Sequence, residues 1–478
     1  MVSSRTVDEV VTQRPGPAVG RESELATLRE FLEPAGTWRA LMLTGGPGIG
    51  KTTLWEAGIG AARERELRAL VARPSEAEAR LSYAGLIDLL AGVADDELAA
   101  LPSPQRHALE AAILRAEPTG SPPGPGAIAV GFLGALRTLA AREPVLVAVD
   151  DVQWLDPASA DALVYAARRL DEDDVRFLLA RRPEQTLTLE RALAQGGLDV
   201  LEVGPLSLGA TRRMLALRLG LSVSRHVLRR IHESTLGNPL FALEVGRSLA
   251  EGGHPGLEGD IPVPETVEAL LGTRVARLPQ AERRLLLAVA LSGDLRTTQL
   301  ASIGDPATID AAVDAGILVI DGERVRPSHP LLAAAAKRSS RPSDRRELHL
   351  ELANVVEGEE LRALHLAHAA TLPDESLAAT LASAAVDVSS RGAAREAAVL
   401  SEHAFRLTPP DSGARSERLL ALAGYFEVAG ERQRVTDLLA PELGALSRHD
   451  RVRAWLRLAE GGAIRSIYDT EEYLDLAL

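Results

Sequence analysis

Apolar residues fall into two regimes along this chain. Up to about residue 205, short apolar runs alternate with stretches in which apolar positions recur every three to four residues, the pattern of strands alternating with helices. Arg39–Thr44 (RALMLT), Arg68–Ala72, Pro144–Val149, Val175–Ala180 and Val200–Val203 read as strands, and Thr52–Arg63 and Asp156–Arg169 as helices. An unbroken run such as PVLVAV suits a strand covered on both faces. The alternation therefore predicts a three-layer α/β domain with a parallel sheet and right-handed crossovers. Beyond Leu206 strand patterns nearly vanish, so the predicted class is α/β then all-α. One exception is Ile317–Ile320 and Arg324–Arg326, joined by Asp321-Gly322-Glu323, which reads as a hairpin. It follows helical patterns at 265–276, 280–292 and 306–315, and three helices with a hairpin predict a winged helix. After Arg345 every pattern is helical and broken by Gly or Pro, as in the stacked helix pairs of a TPR-like solenoid; 419–443 is the clearest pair.

Three stretches read as seams. Residues 1–17 are a polar lead-in expected to be disordered, 118–126 (PTGSPPGPG) a loop unable to hold a helix, and 252–264 an interdomain linker. The expected domains are 18–205 (the α/β domain), 206–262 (helical subdomain with linker), 263–345 (winged helix) and 346–478 (helical solenoid). The sequence stops at LDLAL in mid-pattern, as a fragment of a longer protein would.

Composition sharpens this picture in three ways. Aromatics are 3% of the 478 residues, which suits a helix-dominated architecture. A formal charge of −14 argues against broad attraction to nucleic acid or anionic membrane. The absence of cysteine excludes disulfide and thiolate chemistry. No segment resembles a signal peptide or a membrane span, so a cytoplasmic protein is expected.

The candidate chemistry sits in Gly45-Gly46-Pro47-Gly48-Ile49-Gly50-Lys51-Thr52-Thr53. Glycines in this spacing let backbone N–H groups turn inward around phosphate oxygens, and the helix that follows points its positive end at the same anion. Lys51 would bridge β and γ phosphates, and the Thr52 hydroxyl would ligate Mg²⁺. Lys51 and Lys337 are the only lysines in the chain, so a chance match is less credible. A second carboxylate site is expected at the end of another buried strand, and PVLVAV runs into Asp150 and Asp151. Asp150 is the expected metal-side carboxylate, and Asp151 would polarise an attacking water.

With both motifs in place, the chain resembles the STAND class of signalling ATPases, and among them the large LuxR-family transcription regulators related to the maltose regulator. Val19-Gly20-Arg21-Glu22, followed by Glu24-Leu25, is similar to the family's entry motif near adenine. The Walker B region continues as Asp150-Asp151-Val-Gln-Trp154-Leu-Asp156. LLARRP resembles a sensor strand whose arginine would be Arg182, with Arg181 equal to it by chemistry. Gly237-Asn238-Pro239-Leu240-Phe241 resembles the GxP motif, with Pro239 expected near the base; the plainer reading is a first-turn proline behind an Asn cap. Ser328-His329-Pro330-Leu331 resembles the end of the family's winged helix. There His329 either packs locally at the start of the helix 331–337 or bonds the ADP β-phosphate. The family's terminal helix-turn-helix is absent. The winged helix carries Asp305, Asp310 and Asp314 with no basic residue from 297 to 323, so it reads as a switch element and not as a DNA reader.

Two functions remain open. One is an ATP/ADP-operated signalling switch with slow hydrolysis, an inducer or regulatory protein acting on the C-terminal helices, and self-association on ATP binding left open. The other is an AAA+-type remodelling ATPase with continuous turnover. Asp151 stands where such motors usually carry a glutamate, which favours the switch.

Overall fold

The computed structural model describes residues 18–33, 39–117, 123–170, 172–183, 187–251, 267–293 and 295–460. The lead-in, the 252–264 linker and the end of the chain lie outside these residues, so the expectations about them are not addressed. The first body is a parallel five-stranded sheet of β1 (Ala40–Thr44), β2 (Arg68–Ala72), β3 (Val145–Val149), β4 (Val175–Arg181) and β5 (Leu198–Glu202). The strand order is β2-β3-β4-β1-β5. The carboxyl ends of all five strands therefore open on one edge, the place where open α/β sheets hold ligands.

Every residue of β3 and β4 is buried. Alternation along the strands decides what each residue meets. Leu41 and Leu43 of β1, Leu146 and Ala148 of β3 and Leu178 and Ala180 of β4 pack with α1 (Glu22–Phe31) and α2 (Lys51–Glu64). Ala40, Met42, Val145, Val147, Phe177 and Leu179 point the other way. They meet the helices that link the strands on that side: α3 (Ala84–Leu90), α4 (Asp95–Leu98), α5 (Ser103–Ala112), α6 (Pro125–Ala140), α7 (Pro157–Ala167) and α8 (Thr188–Ala194). Burial on both faces is why these strands read as unbroken apolar runs.

Two boundaries differ from expectation. Pro125 and Gly126, assigned to a helix-free loop, form the first turn of α6 behind Gly124. A proline there lacks only an N–H that would be unpaired anyway. Asp156, expected inside α7, is its N-cap, and its carboxylate accepts from Ser159 N at 2.8 Å.

Helices α9 (Leu208–Leu219), α10 (Arg225–Thr235) and α11 (Pro239–Glu251) share a small core with Leu206 and Val19. A third cluster holds α12 (Val267–Arg277), α13 (Gln280–Ser292), α14 (Thr297–Leu300), α15 (Pro306–Asp314) and α16 (Pro330–Ser339) against a three-stranded sheet of order β6-β8-β7. The hairpin is β7 (Leu318–Asp321) and β8 (Arg324–Pro327); β6 (Leu295–Arg296) had no visible pattern because it is two residues long.

From α17 (Pro342–Val355) the described chain is helical: α18 (Glu359–Ala369), α19 (Glu375–Ser390), α20 (Ala394–Leu407), α21 (Arg415–Val428), α22 (Arg432–Leu439) and α23 (Arg448–Glu460). Residues of α18–α20 join the same hydrophobic cluster as the sheet and α5–α7, so the core crosses the boundary expected at residue 346. Polar contacts fix that seam. Ser82 N and Oγ donate to Glu360 at 2.9 and 2.7 Å, and Arg391 donates to the same carboxylate at 2.6 Å. Among the described residues no helix is long and apolar enough to cross a membrane.

Four histidines gather between α17, α18 and α20. The Nδ1 atoms of His349 and His365 lie 2.9 Å apart, His368 stacks on His349, and His403 meets His368 edge-on. Burial, then the charges of neighbouring histidines and arginines, pushes His349 and His403 down to about 4 and His365 to about 3. The ordinary value is 6.5, so below it the unfolded chain takes up protons that the packed cluster refuses. Stability is therefore full above pH 6.5 and falls as pH drops toward 4. For His365 the loss is at most about 1.4 kcal/mol per pH unit. Thermal unfolding at pH 7 and pH 5 should show a lower midpoint at pH 5, and His365→Asn should flatten that difference; a wild-type midpoint that does not fall on acidification would refute the account.

Candidate nucleotide site

The loop after β1 is shaped by two glycines in the left-handed region, Gly48 at φ +75° and Gly50 at φ +103°. It is also crowded. A Cβ at Gly45 would lie 2.8 Å from the Val203 carbonyl, and one at Gly48 would lie 2.8 Å from the Leu240 Cβ. Gly50 is the N-cap of α2 and makes no side-chain cap, so the first N–H groups of a 14-residue helix face the loop. Lys51 is buried, and its Nζ donates to the carbonyls of Gly45 at 2.9 Å and Gly46 at 3.0 Å. Thr52 and Thr53 follow in the first turn of α2.

The paired aspartates meet this loop from β3. The Thr52 hydroxyl donates to Asp150 Oδ2 at 2.8 Å, across 98 residues of chain. Asp150 is itself held in place, because its N–H donates to the Ala72 carbonyl at the end of β2. Burial, then the charge of Asp151, raises the Asp150 carboxyl to about 6. Asp151 sits at φ +44°, a strained value for a side-chain-bearing residue. Its carboxylate accepts from Gln153 Nε2 at 2.6 Å, and Gln153 Oε1 accepts from Arg182 N at 3.3 Å. Gln153 thus joins the ends of β3 and β4, a role nothing in its sequence context announced.

The two candidate arginines separate in the fold. Arg181 is the buried last residue of β4 and pairs with Glu190 of α8 at 3.0 Å. Arg182 lies just past the strand end and is only partly buried. His329 comes to the same region from the end of β8. Its Nδ1 accepts from Leu331 N at 3.1 Å, which caps α16, as the plainer sequence reading has it. It also lies in the field of Arg182 and Lys51. Burial, and then these two charges, pushes it down to about 3. A neutral imidazole that accepts at Nδ1 carries its proton on Nε2, so His329 holds a donor within the field of the two cations.

Further residues clamp the loop from outside. Arg21 is buried and donates to the Ile49 carbonyl at 2.8 Å while pairing with Glu24 at 2.7 Å. Gly20, at φ +70°, packs so closely that a Cβ would overlap the Ala210 Cβ at 2.2 Å, and Val19 joins the α9–α11 cluster. Asn238 Nδ2 donates to the Pro47 carbonyl at 3.0 Å, its Oδ1 caps Phe241 N, and Leu240 N donates to the Gly48 carbonyl at 3.2 Å. Pro239 occupies the first position of α11, behind that cap. The loop contacts in this segment are made by its neighbours Asn238 and Leu240.

Arg73, one residue beyond β2, was also missed. It pairs with Glu56 of α2 at 3.2 Å and with Asp321 of β7 at 3.1 Å, and it lies over the Trp55 ring. Its carbonyl accepts from Arg326 of β8 at 3.2 Å. Arg73 therefore ties the helix behind the phosphate loop to the small three-stranded sheet.

Residues 17–179 match the model of the AAA ATPase domain, so this part of the chain is a P-loop ATPase domain of AAA type. Similar solved structures include the Walker-type ATPase of Pyrococcus abyssi, at 16% identity over 66% of this chain and 95% of that one, with a TM-score of 0.35. The Aeropyrum pernix ORC1 protein in complex with DNA is 18% identical over 69% and 95%, with a TM-score of 0.35. The Thermotoga maritima RuvB Holliday junction branch migration motor is 15% identical over 65% and 92%, with a TM-score of 0.30. No curated protein matches the chain.

Proposed function

We propose that this chain is a nucleotide-operated switch, part of a LuxR-family transcriptional regulator of the STAND class, which binds ATP or ADP with Mg²⁺ and hydrolyses ATP slowly. The observation that carries the reading is His329, a residue of the small three-stranded body held within the field of Lys51 and Arg182. A switch needs an element outside the nucleotide domain whose position depends on the phosphates present, and His329 Nε2–H suits that task.

Backbone N–H groups of Gly46 and Gly48–Lys51 would cradle the phosphates, with Lys51 leaving the Gly45 and Gly46 carbonyls to meet them. The residues fit such an anion, since the buried Lys51 ammonium and the uncapped N-terminus of α2 both face the loop, and Gly45 and Gly48 let it pack tightly against Val203 and Leu240. Mg²⁺ would supply charge neutralisation at the phosphates. Thr52 and Asp150 would hold it. Asp151 would orient a water, but it is one methylene shorter than a glutamate and already engaged by Gln153, which supports slow turnover. Arg182 would meet the γ-phosphate. Val19, Gly20, Arg21 and Pro239 belong to the walls of the pocket. An inducer or regulatory protein would act through the C-terminal helices, which share a core with the nucleotide domain.

The test is nucleotide exchange and turnover. Purified protein should retain ADP, hydrolyse ATP well below about one per second, and release ADP about tenfold faster after His329→Ala, as expected for loss of one charge-assisted hydrogen bond. Turnover well above that rate would place the chain with remodelling ATPases. An unchanged ADP off-rate would remove His329 from the mechanism.

A further inference from the structure

A cavity of about 670 Å³ lies where the small three-stranded body meets the C-terminal helices. Its walls are the N-terminal half of α13, the end of α16 and the start of α17. Leu287, Ala336 and Leu348 are buried and supply its apolar part. The walls are fixed to one another. Arg284 of α13 pairs with Glu351 of α17. The Arg345 guanidinium donates to the carbonyls of Lys337 at 2.9 Å and Ser340 at 3.1 Å, which ties α17 to the end of α16. The volume suits a small organic molecule and is far larger than a single ion needs.

Arg283, Arg341, Asp344 and Glu347 also line this cavity, and among the described residues none of the four forms an ion pair. Arg283 Nη1 donates to the Ala276 carbonyl at 3.4 Å, and Asp344 accepts from the Ser343 hydroxyl at 3.0 Å, so both have only neutral partners. Arg341 and Asp344 are three apart at the start of α17, a spacing at which opposite charges can meet on a helix, and still they do not pair. Unpaired charges of both signs therefore face one space. They are also ordered along it. Arg341 precedes the first turn of α17, which has no side-chain cap, so the positive end of that helix adds to the guanidinium. Asp344 and Glu347 follow at about 4.5 and about 9 Å along the axis.

We propose that this cavity binds a zwitterion, a short peptide with both ends free, with its carboxylate at Arg341 and its ammonium at Asp344 and Glu347. Arg283 adds positive charge from α13, and an apolar side chain of the peptide covers Leu287, Ala336 and Leu348. The spacing matches. An extended peptide advances about 3.3–3.6 Å per residue, so the ends of a di- or tripeptide are as far apart as Arg341 is from the two carboxylates. A guanidinium also receives a carboxylate with two parallel donors, which fixes orientation. An inorganic anion would fill little of the volume and would face two carboxylates, and a nucleic acid strand would meet the same repulsion. No residue assigned to the nucleotide lines this cavity, so the site is separate from the phosphate loop and does not require the switch reading.

Calorimetric titration of the full chain with di- and tripeptides of leucine, valine and phenylalanine, with ADP present throughout, tests the proposal. At least one free peptide should bind, and its N-acetyl and C-amide forms should each bind about tenfold or more weakly, because each lacks one charged end. Arg341→Ala should weaken the free peptide about tenfold and remove the penalty of amidation. D344A/E347A should instead remove the penalty of acetylation. The altered side chains are exposed, and an unchanged thermal unfolding midpoint shows that each variant is folded. The comparison of free and blocked peptides on wild type stands without any variant. No peptide binding tighter than about 1 mM, equal affinity for free and blocked forms, or penalties that the variants leave unaltered would each overturn the proposal. So would tighter binding of the N-acetyl form or of inorganic phosphate, which would make the cavity a site for simple anions.

Discussion

Replacing Lys51 by alanine is expected to lower affinity for ATP and ADP by about a hundredfold or more, read by calorimetric titration of the full chain. The ammonium is buried in the loop, with its donors on the Gly45 and Gly46 carbonyls, the groups that phosphate oxygens would displace. A charge-assisted hydrogen bond contributes about 1.5–3 kcal/mol and each 1.4 kcal/mol is tenfold in affinity, so two such bonds account for the loss. The glycine backbone and the helix terminus remain, which is why the variant should bind weakly and still fold. Lys337→Ala is the matched control. It removes the chain's other lysine, which pairs with Glu76 at 3.2 Å outside the loop, and should leave affinity unchanged. Affinity that survived Lys51→Ala would mean that nucleotide binds elsewhere or not at all.

The second large effect is on stability. Trp55 is fully buried under the sheet, on the side of α2 that faces β4, and its Nε1–H donates to the Leu178 carbonyl at 3.2 Å. Trp55→Ala should cost about 3–5 kcal/mol through lost packing and the cavity left behind. Trp55→Phe should recover most of this, because it restores the ring volume and gives up only the hydrogen bond. Chemical unfolding of the nucleotide-free chain, followed by far-UV circular dichroism, is the measurement. A Trp55→Ala midpoint close to wild type would mean that α2 is not anchored through this ring. The same anchor bears on the site, since Arg73 lies over the indole and reaches from there to Glu56 and Asp321.

The parts of the site that were legible in the sequence are those whose chemistry is local. Gly45–Thr53 could be read because a phosphate cradle needs consecutive glycines and the start of a helix, all within nine residues. Asp150 was legible because a carboxylate after an unbroken apolar run must emerge at the carboxyl edge of a sheet buried on both faces. The winged element was legible only in part: its hairpin has a turn signal, whereas β6 is too short to show a period. Gln153 and Asn238 lie inside recognisable motifs, but their contacts to Arg182 and to Pro47 are not legible there because the side chains reach across the fold.

By itself the sequence determined the parallel α/β domain, the helical region after it, the phosphate loop and the aspartate pair, because hydrophobic period and contiguous backbone chemistry are properties of neighbouring residues. Only the tertiary structure decided which of two adjacent arginines is committed to Glu190, that His329 lies in the field of Lys51, that Arg73 joins two bodies, and that α18–α20 share a core with the sheet. Those outcomes depend on which surfaces meet after folding. The free energy of such meetings is spread over side chains tens to hundreds of residues apart, where no local pattern records it.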